Sequence, residues 1–175
     1  MEYLILESTG VEISHIDGAA FNNFSAGKQN GIIPGVLGEC SIVRASSTTL
    51  QMSTGELLIQ GFRIKITSPY TLTKPTNTST VQYYLVAKLV LRSSGSVSFS
   101  IEARTTSALI QNNLFTSGTG TYEVQLCKFT VGSSGISNLV KTVSVISGMT
   151  SDSYTKTEVD NLISQAITNT LNTEV

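Results

Sequence analysis

Runs in which apolar and polar residues alternate recur along residues 1–147 of the chain. Such a period of two places the apolar side chains on one face of a β-strand. Segments containing Gly, Asn or Pro separate the runs, which predicts about nine short strands joined by turns. The predicted strands are residues 2–7, 11–16, 40–45, 48–52, 56–66, 80–92, 96–104, 122–131 and 136–146.

This spacing predicts an all-β domain over residues 1–147, an antiparallel β-sandwich or jelly-roll-like fold. Residues 17–39 and 68–79 are expected to be loops, Gly61 a bulge inside one long strand, and no helix of useful length is expected. Strict alternation along residues 122–131 predicts two sets of side chains on opposite faces. The sets are Tyr122, Val124, Leu126 and Lys128, and Glu123, Gln125, Cys127 and Phe129.

The pattern changes at the C-terminal end, where residues 148–153 are predicted as a linker and residues 154–175 as a coiled-coil helix. Thr155 and Glu158 have the spacing of a capping box, in which each side chain accepts a hydrogen bond from the other residue's backbone N–H. Tyr154 and Val159 occupy the positions of a hydrophobic staple around this cap. We therefore predict a helix that begins near Lys156.

The predicted helix carries an apolar stripe at spacings of three and four residues. A short helix rich in Ser, Thr and Asn is marginal alone, so the stripe must be buried against a partner. Self-association as a trimeric coiled coil is one solution, and folding back onto the β domain is the other. In the coiled coil, Asn169 occupies a core layer; otherwise it lies on a solvated face. The residues expected to mediate oligomerisation are Val159, Leu162, Ile163, Ala166, Ile167 and Asn169.

Composition narrows the function classes. Only 13% of the residues are charged and the formal net charge is −1, so we expect neither nucleic-acid binding nor attraction to an anionic membrane. No apolar run approaches the roughly 20 residues that span a bilayer, and the acidic N-terminus does not resemble a secretory signal. Most polar residues are uncharged, with 24 Ser and 23 Thr, and this composition suits β-strands whose exposed faces carry little charge.

Residues with catalytic or metal-binding chemistry are few. His15 and Asp17 would share one face of a strand, but no other His exists to complete a metal site. Glu102 and Glu123 are a formal carboxylate pair, yet the chain has no Trp to line a sugar groove, and no nucleophile elbow is present. We expect no enzyme activity, catalytic residue, metal or cofactor. Cys40 and Cys127 are expected to be buried thiols, with a disulfide between them as the alternative.

The segment Y-T-K-T-E-V-D-N-L-I, residues 154–163, resembles a segment that recurs in bacteriophage tail-fibre and baseplate proteins. The stretch G-V-L-G-E-C-S-I-V…L-Q-M-S-T-G-E-L-L-I-Q-G-F-R-I, residues 35–64, is similar to N-terminal β regions of phage receptor-binding proteins. The resemblance implies a homotrimer in a virion tail or baseplate, assembled in the host cytoplasm with other tail proteins.

Two functions follow as hypotheses. In the first, the β domain docks into a phage tail tip, baseplate or tail fibre, while the coiled coil trimerises the chain and carries a host-receptor-binding assembly. In the second, the β domain is itself a saccharide-binding module for the host cell surface. The low aromatic content, 7%, ranks the second hypothesis lower.

Overall fold

The computed structural model describes residues 14–77 and 79–147 of the chain. In this part it contains two helices, α1 (His15–Ser25) and α2 (Leu114–Ser117). The strands are β1 (Gly31–Ile32), β2 (Ile42–Arg44), β3 (Thr49–Met52), β4 (Gly55–Ile59), β5 (Phe62–Ile66), β6 (Tyr70–Thr73), β7 (Val81–Leu91), β8 (Val97–Arg104), β9 (Gly120–Gly132) and β10 (Gly135–Lys141). The prediction of an all-β domain is confirmed for these residues.

The strands form three sheets whose paired strands are antiparallel. Their orders are β1-β4-β5, β10-β9-β7-β8 and β2-β3-β6. Strand β4 contacts β9, so the first two sheets pack on each other across a shared core. The third sheet adds Ile42, Leu50 and Met52 to the same core. At the β9–β10 hairpin, Gly135 lies so close to the Ser47 carbonyl that a Cβ would be 2.3 Å from its oxygen.

Two predictions are wrong where α1 lies. The sequence predicts a strand at residues 15 and 16 and a loop over residues 17–39, whereas residues 15–25 are helical. Ser14 and Asp17 form a capping box: the Asp17 N–H donates to Ser14 Oγ (3.2 Å), and the Ser14 N–H donates to the Asp17 carboxylate (3.2 Å). This cap satisfies two backbone donors that would otherwise have no partner at the start of the helix. Ser14 and Asp17 have the same spacing as Thr155 and Glu158, so this signal was present in the sequence although a strand and a loop were predicted here.

The predicted strand 56–66 is a hairpin, not one strand with a bulge. Ile59 pairs with Phe62, which leaves Gln60 and Gly61 as a two-residue turn with φ of 44° and 74°. Two consecutive positive φ values are typical of the type I′ turn, whose twist matches that of a hairpin. Gly61 also touches α1, since a Cβ there would be 1.7 Å from the Ala19 carbonyl oxygen.

Two further predictions need correction. Strand β6 lies inside the predicted loop 68–79, where Leu72 pairs with Leu50 of β3. In β9, Leu126 is an extra residue, because Leu85 pairs with Cys127 and Val86 pairs with Gln125. This β-bulge interrupts the alternation, so that the core contains side chains from both predicted sets, namely Leu126, Cys127 and Phe129.

The predicted strand 2–7 and most of strand 11–16 lie outside the described residues, as do the linker and the coiled-coil helix. The proposed division into domains therefore stays a prediction. Neither of the two described helices has the length and apolar character needed to cross a membrane.

Candidate functional site

The residues predicted to mediate oligomerisation and helix capping all lie outside the described part of the chain. The oligomerisation set is Val159, Leu162, Ile163, Ala166, Ile167 and Asn169, and the cap is Tyr154, Thr155 and Glu158. What the structure does describe is the point from which the chain continues towards them.

This exit point is held by backbone and side-chain hydrogen bonds. The Ile32 N–H donates to the Ser144 carbonyl (2.9 Å), and the Ile146 N–H donates to the Ile32 carbonyl (2.8 Å). The Ser147 N–H and hydroxyl group both lie within hydrogen-bond distance of Gln29 Oε1, at 3.1 and 3.3 Å. The Ile146 side chain packs with Ala26 and Leu58 in a small separate cluster. The segment that follows residue 147 therefore starts from a fixed place beside the end of α1.

His15 and Asp17 do not form the pair that a strand would place on one face. Both lie in the first turn of α1, where residues two apart point in different directions. The Asp17 carboxylate is bound to Ser14, and the His15 ring lies 6.4 Å from the Phe62 ring centroid. Residues 14–77 and 79–147 contain no group of three or more His, Cys, Asp or Glu side chains placed to hold a metal ion.

Glu102 and Glu123 have different surroundings on the outer face of the four-stranded sheet, the face turned away from the core. Glu123 is 1% exposed and accepts two hydrogen bonds from Arg104, at 2.9 and 2.8 Å. The Glu102 carboxylate lies 3.4 Å from Lys88 Nζ, and this pair is partly exposed. Each carboxylate thus has its own cation.

Burial alone would raise the pKa of Glu123, but other interactions outweigh it. Hydrogen bonds from Arg104 and from the Ile110 N–H (2.7 Å), with the charges of Arg104 and Lys88, hold this pKa below the ordinary glutamate value. A glycosidase needs a carboxylic acid whose pKa is raised. Glu123 therefore does not suit the role of general acid.

The residues that bury Glu123 were not predicted from the sequence. Residues 105–111 cross the outer face of the sheet, where the Ala108 carbonyl accepts a hydrogen bond from Arg104 (2.6 Å). The segment ends by pairing with β9, where Gln111 bridges to Tyr122. An Arg at the end of a strand, followed by a polar segment, gives no periodic signal. Only the matching charge of Glu123 could have indicated the pair.

Cys40 and Cys127 are both buried and free, so the alternative of a disulfide is wrong for this structure. Burial, together with the charge of Glu56, raises the pKa of Cys40 to about 11. Burial raises the pKa of Cys127 to about 12. Both groups are therefore protonated thiols at neutral pH and unsuited to nucleophilic chemistry.

A cavity of about 420 Å³ lies at the side of β9 where residues 109–111 and 142–144 meet. Its polar lining is neutral. The Asn30 amide is 3.4 Å from the Tyr122 hydroxyl, and the Gln125 amide donates to Thr142 Oγ1 (2.9 Å). Leu109, Val124 and Val143 supply the apolar part of its wall. Amides, hydroxyl groups and one aromatic ring are groups that bind uncharged polar ligands.

The two tyrosines on β7 contribute no second site. Tyr83 stacks on Phe129 with centroids 5.8 Å apart, and its hydroxyl is 3.3 Å from Asn77. Tyr84 pairs with Arg104 and Lys128 on the neighbouring strands. As adjacent residues of one strand, the two tyrosines point to opposite faces, and Tyr83 is the one that packs against the core.

Comparison with known proteins gives little further information. No protein-family model matches the chain, and a search of curated proteins finds no match either. Among solved structures, the gene 22 product of the Bacillus subtilis SPP1 phage is similar, with a TM-score of 0.36 and 15% identity. The similar region covers 66% of this chain and 87% of that chain. At this TM-score the likeness carries no argument about function.

Proposed function

We propose that the chain is a structural module of a phage tail tip, baseplate or tail fibre. In this role its β domain docks to other tail proteins, and residues 154–173 form a trimeric coiled coil that carries a host-receptor-binding assembly. Its place would be the virion, after assembly in the host cytoplasm. The observation that carries the proposal is the segment Y-T-K-T-E-V-D-N-L-I with its capped start and apolar stripe.

The described residues support this role in two ways. The chain leaves the β domain at Ser147, and contacts with Gln29, Ile32 and Ile146 fix this point. A fixed point of this kind is needed if the β domain is to hold the proposed coiled coil in a defined position. The candidate reactive groups are also inert: both thiols are protonated and Glu123 is neutralised by Arg104. We therefore expect no turnover of esters, peptides or glycosides.

Oligomeric state tests the proposal directly. Light scattering on the full chain should give the mass of a trimer. Leu162→Asp places a charge in the predicted core of the coiled coil and should dissociate the trimer, because an unpaired buried charge is strongly unfavourable. Ser164→Asp introduces the same residue on the predicted outer face and should leave the trimer intact.

A monomeric full chain at high micromolar concentration would overturn the proposal. A trimer that persists in Leu162→Asp would place the main interface on the β domain instead. Equal dissociation of the two variants would show that the predicted helix face is wrong.

The neutral cavity beside Tyr122 favours a second candidate, a module that binds a saccharide on the host surface. Its amide and hydroxyl groups match the hydrogen-bonding groups of an uncharged sugar, and its volume of about 420 Å³ is in the usual range for small ligands. Binding to a glycan array that is lost in Gln111→Ala and kept in Gln82→Ala would establish this function. Gln82 is an exposed glutamine that does not line the cavity. If no glycan on the array binds, the saccharide-binding function is rejected and the structural role is the remaining proposal.

A further inference from the structure

An apolar groove of about 320 Å³ lies between strands β5 and β8. Leu89 is 1% exposed and lines this groove, so the opening reaches the core of the domain. Val97 on its rim is 38% exposed although its neighbours on the same face of β8 pack against the core. The side chains that give the groove its apolar character are Phe62, Ile64, Leu89, Val97 and Phe99.

Both strands that border the groove are sheet edges. Within the described ranges, β5 pairs only with β4, and β8 pairs only with β7. An edge strand presents unpaired N–H and C=O groups that favour the addition of another strand. The groove therefore offers both an apolar surface and free backbone hydrogen-bonding groups.

The chain itself enters the described structure at this place. Ser14, the first described residue, is the N-cap of α1, and His15 beside it lines the groove. The His15 ring lies near the β7–β8 turn, where a Cβ on Gly95 would be 3.7 Å from His15 Cε1. Thirteen residues precede Ser14. An extended segment gains roughly 3.3 Å per residue, so all of the groove is within their reach.

We propose that residues 3–6 of the same chain, Tyr-Leu-Ile-Leu, occupy this groove as an added β-strand on the edge of β8. Four consecutive apolar residues suit a strand that is buried on both faces. The edge of β8 is favoured over that of β5 because α1 packs against β5. The short connection to Ser14 gives the segment a high effective concentration at its own groove, which favours it over a second copy. The proposal is independent of the proposed function.

Disulfide trapping in the full chain tests the proposal. Single cysteines are introduced at Tyr3, Leu4, Ile5 or Leu6, each together with Val97→Cys. Facing residues on paired strands have Cα atoms close enough for a disulfide, so at least one pair should cross-link within a single chain under mild oxidation. Combination of the same cysteines with Val140→Cys is the matched control. Val140 is also an exposed valine, 46% accessible, but it lies on β10 at the opposite edge of the same sheet.

Intramolecular cross-links to position 97 and none to position 140 support the proposal. Cross-links between two chains would assign the groove to a second copy and overturn it. Equal yields at positions 97 and 140, or no cross-link at any position, would also overturn it.

Hydrogen exchange provides a measurement that needs no added cysteine. Amide protons on β8 should exchange slowly in the full chain, and Ile5→Pro should speed their exchange because proline lacks the N–H and disrupts a paired strand. Thr9→Pro, placed in the predicted turn between residues 7 and 11, should change β8 much less. Fast exchange along β8 in the unmodified chain would contradict the proposal.

Discussion

The two faces of strand β8 are covered in different ways. On its outer face, Arg104 is bound by the buried Glu123 and by the Ala108 carbonyl, and residues 105–111 lie over them. On its inner face, Val97 and Phe99 remain partly exposed along the groove. The outer face therefore buries an ion pair under residues 105–111, whereas the inner face leaves Val97 38% exposed. One strand thus has a covered polar face and a partly exposed apolar face.

The largest expected effect is on the outer face. Arg104→Ala removes the cation that neutralises Glu123 and leaves a carboxylate that is 1% exposed without its partner. Breaking a buried ion pair in this way costs about 3–5 kcal/mol, and the lower end applies because the Arg104 side chain is 21% exposed. Urea unfolding at pH 7 measures this loss.

Lys88→Ala is the matched control for that variant. It breaks the pair with Glu102 on the same face, where the two side chains are 30% and 42% exposed. It leaves the hydrogen bonds from Arg104 to Glu123 in place, although it removes the weaker effect of the Lys88 charge on Glu123. Exposed pairs contribute little, so the expected loss is under about 1 kcal/mol. Equal losses in the two variants would show that burial does not distinguish the two pairs.

A smaller effect on the same face should appear with pH. Because the pKa of Glu123 is lower in the folded chain than in the unfolded chain, its interactions stabilise the fold fully above the unfolded value of about 4.3. This stabilisation is lost progressively as the pH falls through the folded-state pKa. Urea midpoints measured from pH 7 to pH 3 should fall more steeply for the parent chain than for Glu123→Gln. Parallel curves would contradict the assigned role of this carboxylate.

The smallest expected loss of stability concerns the two edge strands of the four-stranded sheet, β8 and β10. Comparing them tests whether the inner face of β8 is covered. If residues 3–6 cover the groove, Val97→Ala removes two methyl groups from a buried site, at about 0.8 kcal/mol each. The expected loss is therefore about 1.6 kcal/mol in the full chain. Val140→Ala on the opposite edge should change the stability by less than about 0.5 kcal/mol. Equal and small losses in urea unfolding would mean that the groove is open in solution.

The sequence predicts the parts of this fold in which one face of a strand is buried without interruption. Strands β7 and β8 and the turn between them were predicted within one residue of their observed bounds, because β7 is rich in strand-forming residues, β8 alternates strictly and Gly95 marks the turn. Helix α1 was missed because Gly18, Asn22 and Asn23 are weak helix formers and only Ala19 is buried. Packing of Ala19 against Gly61 joins residues far apart in sequence, and no local pattern encodes it.

The candidate sites were less predictable than the strands. The sequence offered Glu102 and Glu123 only as a formal carboxylate pair, and their cations, Lys88 and Arg104, could not be assigned from it. The cavity beside Tyr122 combines side chains from four separate segments, so no spacing in the sequence indicates it. Sequence patterns report which side of one strand is buried, and a site assembled from several segments requires their relative positions.

The extra residue Leu126 changes how strand β9 can be compared with other strands. Before it, core positions fall on even residue numbers such as Tyr122 and Val124; after it, they fall on odd numbers, as at Phe129 and Val131. The two-residue period of core positions therefore shifts by one residue in the middle of a continuous strand. An ungapped alignment of residues 120–132 with a strand that has no bulge matches core positions of one half with outer-face positions of the other. A one-residue gap placed at Leu126 restores the correspondence over the whole strand.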